Sequence, residues 1–401
     1  VTALLSSRKR RTRDLPAPVV CVALVGGSLA FGEFLTLFGD TPIMRASTLV
    51  DALIAGLVSS LLAVAIVLIY RANKLLSFAH GSIIAASGTL AYTLLGEGWS
   101  YWVVAPVTLA ASAAASALIE AAIMRRFATS PRLVATIATL AAGQVLATVA
   151  LFLPGWRFDI NIINSDFDDL QRLPNVPIHF PNAWTHEWMQ MRFTADHVVA
   201  AVVAILAITG VGLFLQRTTA GTAIRGASEN GERVALLGVS MGSLGTLVWA
   251  VAGLLSGLSM LLAEGSGGNR GGLAAIFVGG AGAGVGALLR GFAAGVLARM
   301  ERVSVAVAAA ISITVLDKSV FWVTKRGPLT DVALFIALAI ALLVQRRNLS
   351  RVEESAASAW AAAEEVRPVP SVLRDVASVQ TARRWAFGAL LIAIVGFPFA
   401  M

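Results

Sequence analysis

Charged residues are scarce in this chain: Asp, Glu, Lys and Arg make up 13% of its 401 residues, where a soluble domain carries about 25%. With 57% of the residues hydrophobic and a mean hydropathy of +0.79, that shortage excludes an ordinary water-soluble protein. Cysteine is nearly absent. Cys21 stands alone, so no internal disulfide can form, and its place inside an apolar run suits a small buried side chain. The four lysines, Lys9, Lys74, Lys318 and Lys325, never follow a glycine, which excludes a Walker-type phosphate loop. The four histidines, His80, His179, His186 and His197, form no HExxH pair, so that zinc-hydrolase signature is not present. Three of the histidines share one loop with Asp166, Asp168 and Asp169, but the spacing fits no standard metal site and reads as solvated loop polarity. No cofactor is expected.

What the chain has instead is uninterrupted apolar length. A helix needs about 20 residues to cross a hydrocarbon core of about 30 Å. Charge-free runs of that order occur at 52–70, 98–119, 133–156, 198–216 and within 234–263, with weaker candidates near 17–38, 75–96, 272–298, 303–323, 328–345 and 385–401. The runs are uniformly apolar rather than alternating, which argues against a lipid-exposed barrel. The expected fold class is therefore all-α, a polytopic integral membrane protein of about ten transmembrane helices plus a C-terminal apolar run.

The net charge of +8 follows membrane orientation rather than nucleic-acid binding, because the positive residues collect at alternate loops. With Arg8, Lys9, Arg10, Arg11 and Arg13 placed in the cytoplasm, the next cytoplasmic turns carry Arg71 and Lys74, then Arg125, Arg126 and Arg132, then Arg217, Arg225 and Arg233. The opposite loops are poorer: Arg45 is alone, the turn 97–100 has no positive charge, and in the long loop from Pro154 to His197 acids outnumber Arg157, Arg172 and Arg192. Lys325 and Arg326 break the pattern. The first apolar run reads as a retained helix rather than a removable signal peptide, because further spans follow it.

Four local features stand out. The segment from Gln216 to Met241, QRTTAGTAIRGASENGERVALLGVSM, places Arg225, Glu229, Glu232 and Arg233 beside Ala223, Ile224, Ala227, Val234 and Leu237 at the spacing of an amphipathic helix, with Glu229 and Arg233 as i,i+4 partners. Such a helix either docks a soluble cytoplasmic partner or lies on membrane lipid; Gly238 is placed to end it. The stretch from Gly265 to Gly295 holds twelve glycines, with GxxxG pairs at 280–284, 282–286 and 291–295. It reads either as close helix packing or as a helix broken near Gly279 and Gly280 beside a solute path. His80, next to Phe78 and Gly81 just inside a span, is a candidate path residue or a simple hydrogen-bonding group near the interface. Asp51, Glu120 and Arg290 lie near predicted span ends, where snorkelling to the interface is expected.

Taken in order, these residues resemble a known family. The run IYRANKLLSFAHGSIIAASGTLAY (Ile69 to Tyr92) resembles the early signature of LivH-type permeases of branched-chain amino-acid ABC transporters. It is followed by IMRRFATSPRLVATIATLAAGQVL (Ile123 to Leu146), then AIRGASENGERVALLGVSMGSLGTLVWAVAGLLSGLSMLLA (Ala223 to Ala263), then LAAIFVGGAGAGVGALLRGFAAGVL (Leu273 to Leu297). Four similar blocks in one order cover most of 50–345. Departures from the family pattern are Ser77 before the Phe-Ala-His-Gly and Ser82 after it, where the family often has Asn and an acid, together with the extra helix near 17–38 and the long loop 154–197.

The resemblance implies a domain plan: a basic N-terminus and extra helix at 1–48, a LivH-like permease domain at 49–345, and a polar linker at 346–384. The apolar run at 385–401 resembles the start of a LivM-type permease, so the chain is expected to be the first half of a fused pair; a lone terminal anchor is the alternative. It also implies an importer in the inner cell membrane, with cytoplasmic ABC ATPase subunits, a second LivM-type permease and an extracytoplasmic solute-binding protein as partners, besides membrane lipid. Arg225, Glu229, Glu232, Arg233 and Gly238 are the implied ATPase contact. Phe78, His80, Gly81, Gly279 and Gly280 are candidates for the solute path. Two rivals compete with this reading: an ion-coupled secondary transporter, which calls for paired intramembrane acids, and a membrane scaffold without transport.

Overall fold

The computed structural model describes residues 17–38, 46–127, 130–158, 178, 185–188, 191–266, 280–324, 332, 335, 336 and 339. Ten α-helices appear among them. They are α1 (Ala17–Phe38), α2 (Ala46–Asn73), α3 (Ala79–Gly96), α4 (Tyr101–Ile119), α5 (Arg132–Phe158), α6 (Ala195–Arg217), α7 (Thr219–Leu236), α8 (Met241–Ser266), α9 (Gly280–Leu297) and α10 (Val303–Thr324). One π-turn, Glu120–Met124, extends α4, and one hairpin, β1 (Thr185–Trp188) with β2 (Met191–Thr194), precedes α6. Six helices are long and apolar enough to cross a membrane: α2, α4 with its π-turn, α5, α6, α8 and α10.

The all-α expectation holds, and α1 occupies the run 17–38. Two boundaries move. The apolar run that begins at 234 is cut by Gly238, whose φ of +85° turns the chain between α7 and α8. The loop expected from Pro154 is shorter, because α5 runs on to Phe158 and the hairpin leads straight into α6. His197 is therefore a buried residue in the first turn of α6, where the sequence reading had a solvated loop residue. His179, Asp166, Asp168 and Asp169, Lys325 and Arg326, most of 328–345 and everything from Arg346 onward lie outside the described residues.

Burial separates central from peripheral helices. The apolar window of α2 is 72% buried, against 22% for α6 and 28% for α4 and for α5. α2 is apolar on every side, as a helix enclosed by others must be, and it touches α6, α7, α8, α9 and α10. α3 is the second central element, enclosed by α4, α5, α8 and α9. The outer faces of α4, α5 and α6 expose Trp102, Leu118, Ile137, Val145, Val202 and Leu206, as lipid-facing surfaces do.

Lipid tails are as apolar as leucine, so helix association in a bilayer rests on close packing and interhelical hydrogen bonds. Small residues mark the contacts. A Cβ at Gly56 of α2 would come within 2.8 Å of the Ile311 backbone in α10, and one at Gly143 of α5 within 3.2 Å of Ala79 in α3. In α9 the pair Gly291 and Gly295 packs as its spacing suggested: a Cβ at Gly291 would meet Ile66 and Leu62 of α2, and one at Gly295 would meet Met300 and Val67. Gly286 faces open space instead. A tighter approach lies elsewhere, where Gly253 and Gly257 of α8 press on Ser112 and Ser116 of α4.

Candidate functional site

The amphipathic segment forms α7, and its boundaries follow from its ends. Thr218, in extended conformation, closes α6 and opens α7 at once. Its hydroxyl accepts from the Gly221 N–H at 2.9 Å and donates to the Phe214 carbonyl at 2.6 Å, capping one helix while tying it to the other. At the far end α7 stops at Leu236, and Gly238 takes the left-handed conformation that glycine favours, donating its N–H to Ala235 O at 3.0 Å as helix-ending glycines do.

The two faces of α7 have different fates. Ile224, Ala227 and Val234 are buried in contact with α2, α6 and α8. Arg225, Glu229 and Arg233 are exposed; the side chain of Glu232 lies outside the described residues. Arg225 donates to Thr222 Oγ1 at 3.4 Å and to Gln216 O at 3.5 Å. One expectation is corrected: Leu237 is 83% exposed and does not join the packed face, because the turn at Gly238 directs it outward, and Leu236 beside it is 87% exposed. The sequence reading did not single out Leu236, although two adjacent leucines ahead of a helix-ending glycine cannot both follow the packed stripe.

The second candidate group sits at the start of α3. His80 is fully buried, with Nδ1 3.0 Å from Ser77 Oγ and Nε2 3.4 Å from Ser116 Oγ of α4. The Ser116 hydroxyl donates to the Trp249 carbonyl of α8 at 2.6 Å, so towards His80 it can only accept. That assigns the imidazole proton to Nε2 and leaves Nδ1 to accept from Ser77. His80 therefore joins α3, α4 and α8, with its ring 5.4 Å from that of Trp249. Gly81 is buried beside it. Phe78 points elsewhere: its N–H donates to Thr139 Oγ1 of α5 at 3.0 Å and its ring lies 5.0 Å from Phe292 of α9. Gly280 begins α9, and Gly279 lies outside the described residues. Phe78, His80 and Gly81 thus gather at one end of α3, as helix contacts.

Three charged residues expected at the interface behave differently. Asp51 is buried and holds Lys318 of α10 at 3.0 Å, with His197 of α6 at 3.7 Å. His197 Nδ1 in turn accepts from the Thr194 N–H at 3.2 Å. Glu120 is also buried; it pairs with Arg125 at 3.3 Å and accepts from Thr246 of α8 at 2.5 Å. Arg290 lies 3.4 Å from Asp317. None of the three snorkels alone, because each finds a partner across a helix contact or a π-turn, and a paired charge costs far less at depth than a lone one. Among the described residues no group of His, Cys, Asp and Glu is arranged to hold a metal ion.

Comparison with known proteins gives one family. A family model described as "Branched-chain amino acid transport system / permease component" matches residues 48–344. No curated protein matches the sequence. Among solved structures, one similar chain comes from a proposed metal-chelate type ABC transporter in an inward-facing conformation; it is 13% identical, with a TM-score of 0.48, and the match covers 82% of this chain and 99% of that one. All four sequence blocks that resemble LivH-type permeases fall inside the matched segment. The chain belongs to the family of permease components of branched-chain amino acid transport systems.

Proposed function

We propose that the chain provides the solute path of an ABC importer for branched-chain amino acids or a similar small polar solute, and that separate cytoplasmic ATPases drive it by docking on α7. The observation that carries this reading is the allocation of faces on α7. Its apolar residues Ile224, Ala227 and Val234 are already buried in the protein's own bundle, whereas a helix lying on lipid must keep its apolar face for the acyl boundary. What α7 offers outward is Arg225, Glu229 and Arg233, ending in the exposed pair Leu236 and Leu237. Charges around an apolar anchor suit a protein partner. The orientation that places α7 in the cytoplasm is the one in which the N-terminus is cytoplasmic and α1 to α6 alternate across the membrane.

In this scheme a binding protein delivers the solute from outside, a second LivM-type permease completes the path, and nucleotide binding to the ATPases favours one access state over the other. A ligand shifts such an equilibrium only through its different affinity for the two states, so α7 must be held differently in each. The test is the double substitution Glu229→Lys with Arg233→Glu in the full chain. It keeps opposite charges at i,i+4 positions within the helix while reversing the pattern shown to a partner. Retention of the ATPase subunits that co-purify with the wild-type chain, and ATP-driven uptake, are expected to fall at least tenfold. Intact retention and uptake would refute the docking role of α7.

A further inference from the structure

The end of α4 has a feature that docking alone does not use. In an α-helix, residues five apart lie about 140° apart around the axis, so Glu120 and Arg125 would face different ways. The π-turn Glu120–Met124 closes with the Arg125 N–H on Glu120 O at 3.0 Å, and an i→i+5 closure stacks the two residues on one side. That side faces α8. Glu120 accepts from Thr246 at 2.5 Å, and Arg125 donates to Gly242 O at 3.1 Å and to Thr246 Oγ1. Gly245 keeps the space for the carboxylate, since a Cβ there would lie 2.8 Å from Glu120 Oε1.

The contact continues upward in step. Ser116, one turn above Glu120, donates to Trp249 O at 2.6 Å; Gly253 presses on Ser116 and Ser112, and Gly257 on Ser112. From Gly242 to Gly257 this seam runs about 22 Å at 1.5 Å per residue. Its lower end lies near the docking helix, because Leu237–Ser240 are the only residues between α7 and α8. The ion pair itself lies within α4 and its π-turn, with Glu120 buried and Arg125 half exposed; what holds α4 against α8 is the set of hydrogen bonds that both side chains make to Thr246 and Gly242.

We infer that Glu120, Arg125 and Thr246 are positioning residues that clasp α4 to α8, so that the two helices move as one block and displacement of α7 reaches α4 through α8. This inference rests on the reading of α7 as the ATPase dock. It is tested in the complex reconstituted in vesicles with its co-purifying ATPases and binding protein, by counting ATP hydrolysed per solute imported. Thr246→Val removes the hydroxyl with little change in shape, Glu120→Gln removes the charge, and Thr246→Ser restores the hydroxyl. The expected result is at least a tenfold rise in ATP hydrolysed per solute for the Val and Gln variants, with ATPase retention unchanged and the Ser variant like wild type. Wild-type coupling ratios in the assembled Val and Gln variants overturn the inference and leave the docking reading standing. Uptake by the wild-type complex that needs no ATPase sinks both.

A second measurement requires no change at the clasp. Leu118 on α4 and Leu254 on α8 are exposed, and spin labels at Leu118→Cys and Leu254→Cys, in a Cys21→Ser background, report the distance between the two helices. One block predicts the same distance with and without ATP. A change larger than about 2 Å, the size of an ordinary helix shift, contradicts it.

Discussion

Gly253→Ala is a one-carbon test of how closely α4 and α8 approach. The added Cβ would sit 2.5 Å from the Ser112 carbonyl oxygen and closer still to Ser116 Cβ, whereas relaxed non-bonded contacts lie near 3.5–4.0 Å. The helices must part by about 1 Å or more to relieve it, and overpacking of this kind costs about 1–3 kcal/mol. Parting also stretches the Ser116 bond to Trp249 O from 2.6 Å; interhelical hydrogen bonds in membranes contribute about 0.6–1.7 kcal/mol. Alanine returns about 0.5–1 kcal/mol through its better helix propensity. The net expectation is a loss of about 1–3 kcal/mol, read as the unfolding free energy of the purified chain in mixed detergent micelles. The internal control is Gly210→Ala in α6, where a Cβ would meet nothing within 4 Å; there the propensity gain stands alone and the variant gains about 0.5–1 kcal/mol. If Gly253→Ala matched Gly210→Ala in sign, the close contact of α4 and α8 would be refuted.

Two further outcomes follow from charged and strained positions. Asp51→Leu strands Lys318, whose side chain is 39% exposed and can turn partly away, so the loss is about 1–3 kcal/mol rather than the larger cost of a fully buried orphan. The double variant with Lys318→Leu recovers part of it; purely additive losses in a double-mutant cycle would show that the pair does not interact. Gly238→Ala places a side chain at φ +85° and costs about 1–2 kcal/mol, expected as faster proteolysis at the α7–α8 turn, with Gly238→Asn milder because asparagine tolerates that conformation. Equal cleavage rates in all three proteins would contradict the assignment of Gly238 as the end of α7.

Much of the helical layout was legible because membrane crossing leaves a plain signal: length without charge. The runs 52–70, 98–119, 133–156 and 198–216 all fall within or nearly within single helices. Residues whose role depends on a neighbouring helix were not legible. Glu120 near a span end looks like any interfacial acid, and only the π-turn, which rotates Arg125 into line with it, makes it a buried partner of α8. GxxxG spacing drew attention to 280–295, yet the same spacing at Gly253 and Gly257 makes a tighter contact, because spacing shows that a face is small and not what it meets. The faces of α7 were legible as a pattern; whether its apolar stripe was spent on lipid or on the bundle was not. Leu237 kept the helical period in sequence and left it in space, one residue before the glycine turn.

The corner between α6 and α7 has a mechanical meaning of its own. Thr218 is the whole joint: it ends one helix and begins the next, and Gly221 lets the new helix lie directly on the Phe214 and Leu215 backbone. Such an elbow has no slack in which a push could be absorbed. On the proposed reading of α7 as the dock, a thrust against it would become leverage on α6, whose opposite tip meets α2 through His197 and Asp51, so the far end of the bundle would feel the push before any solute moved.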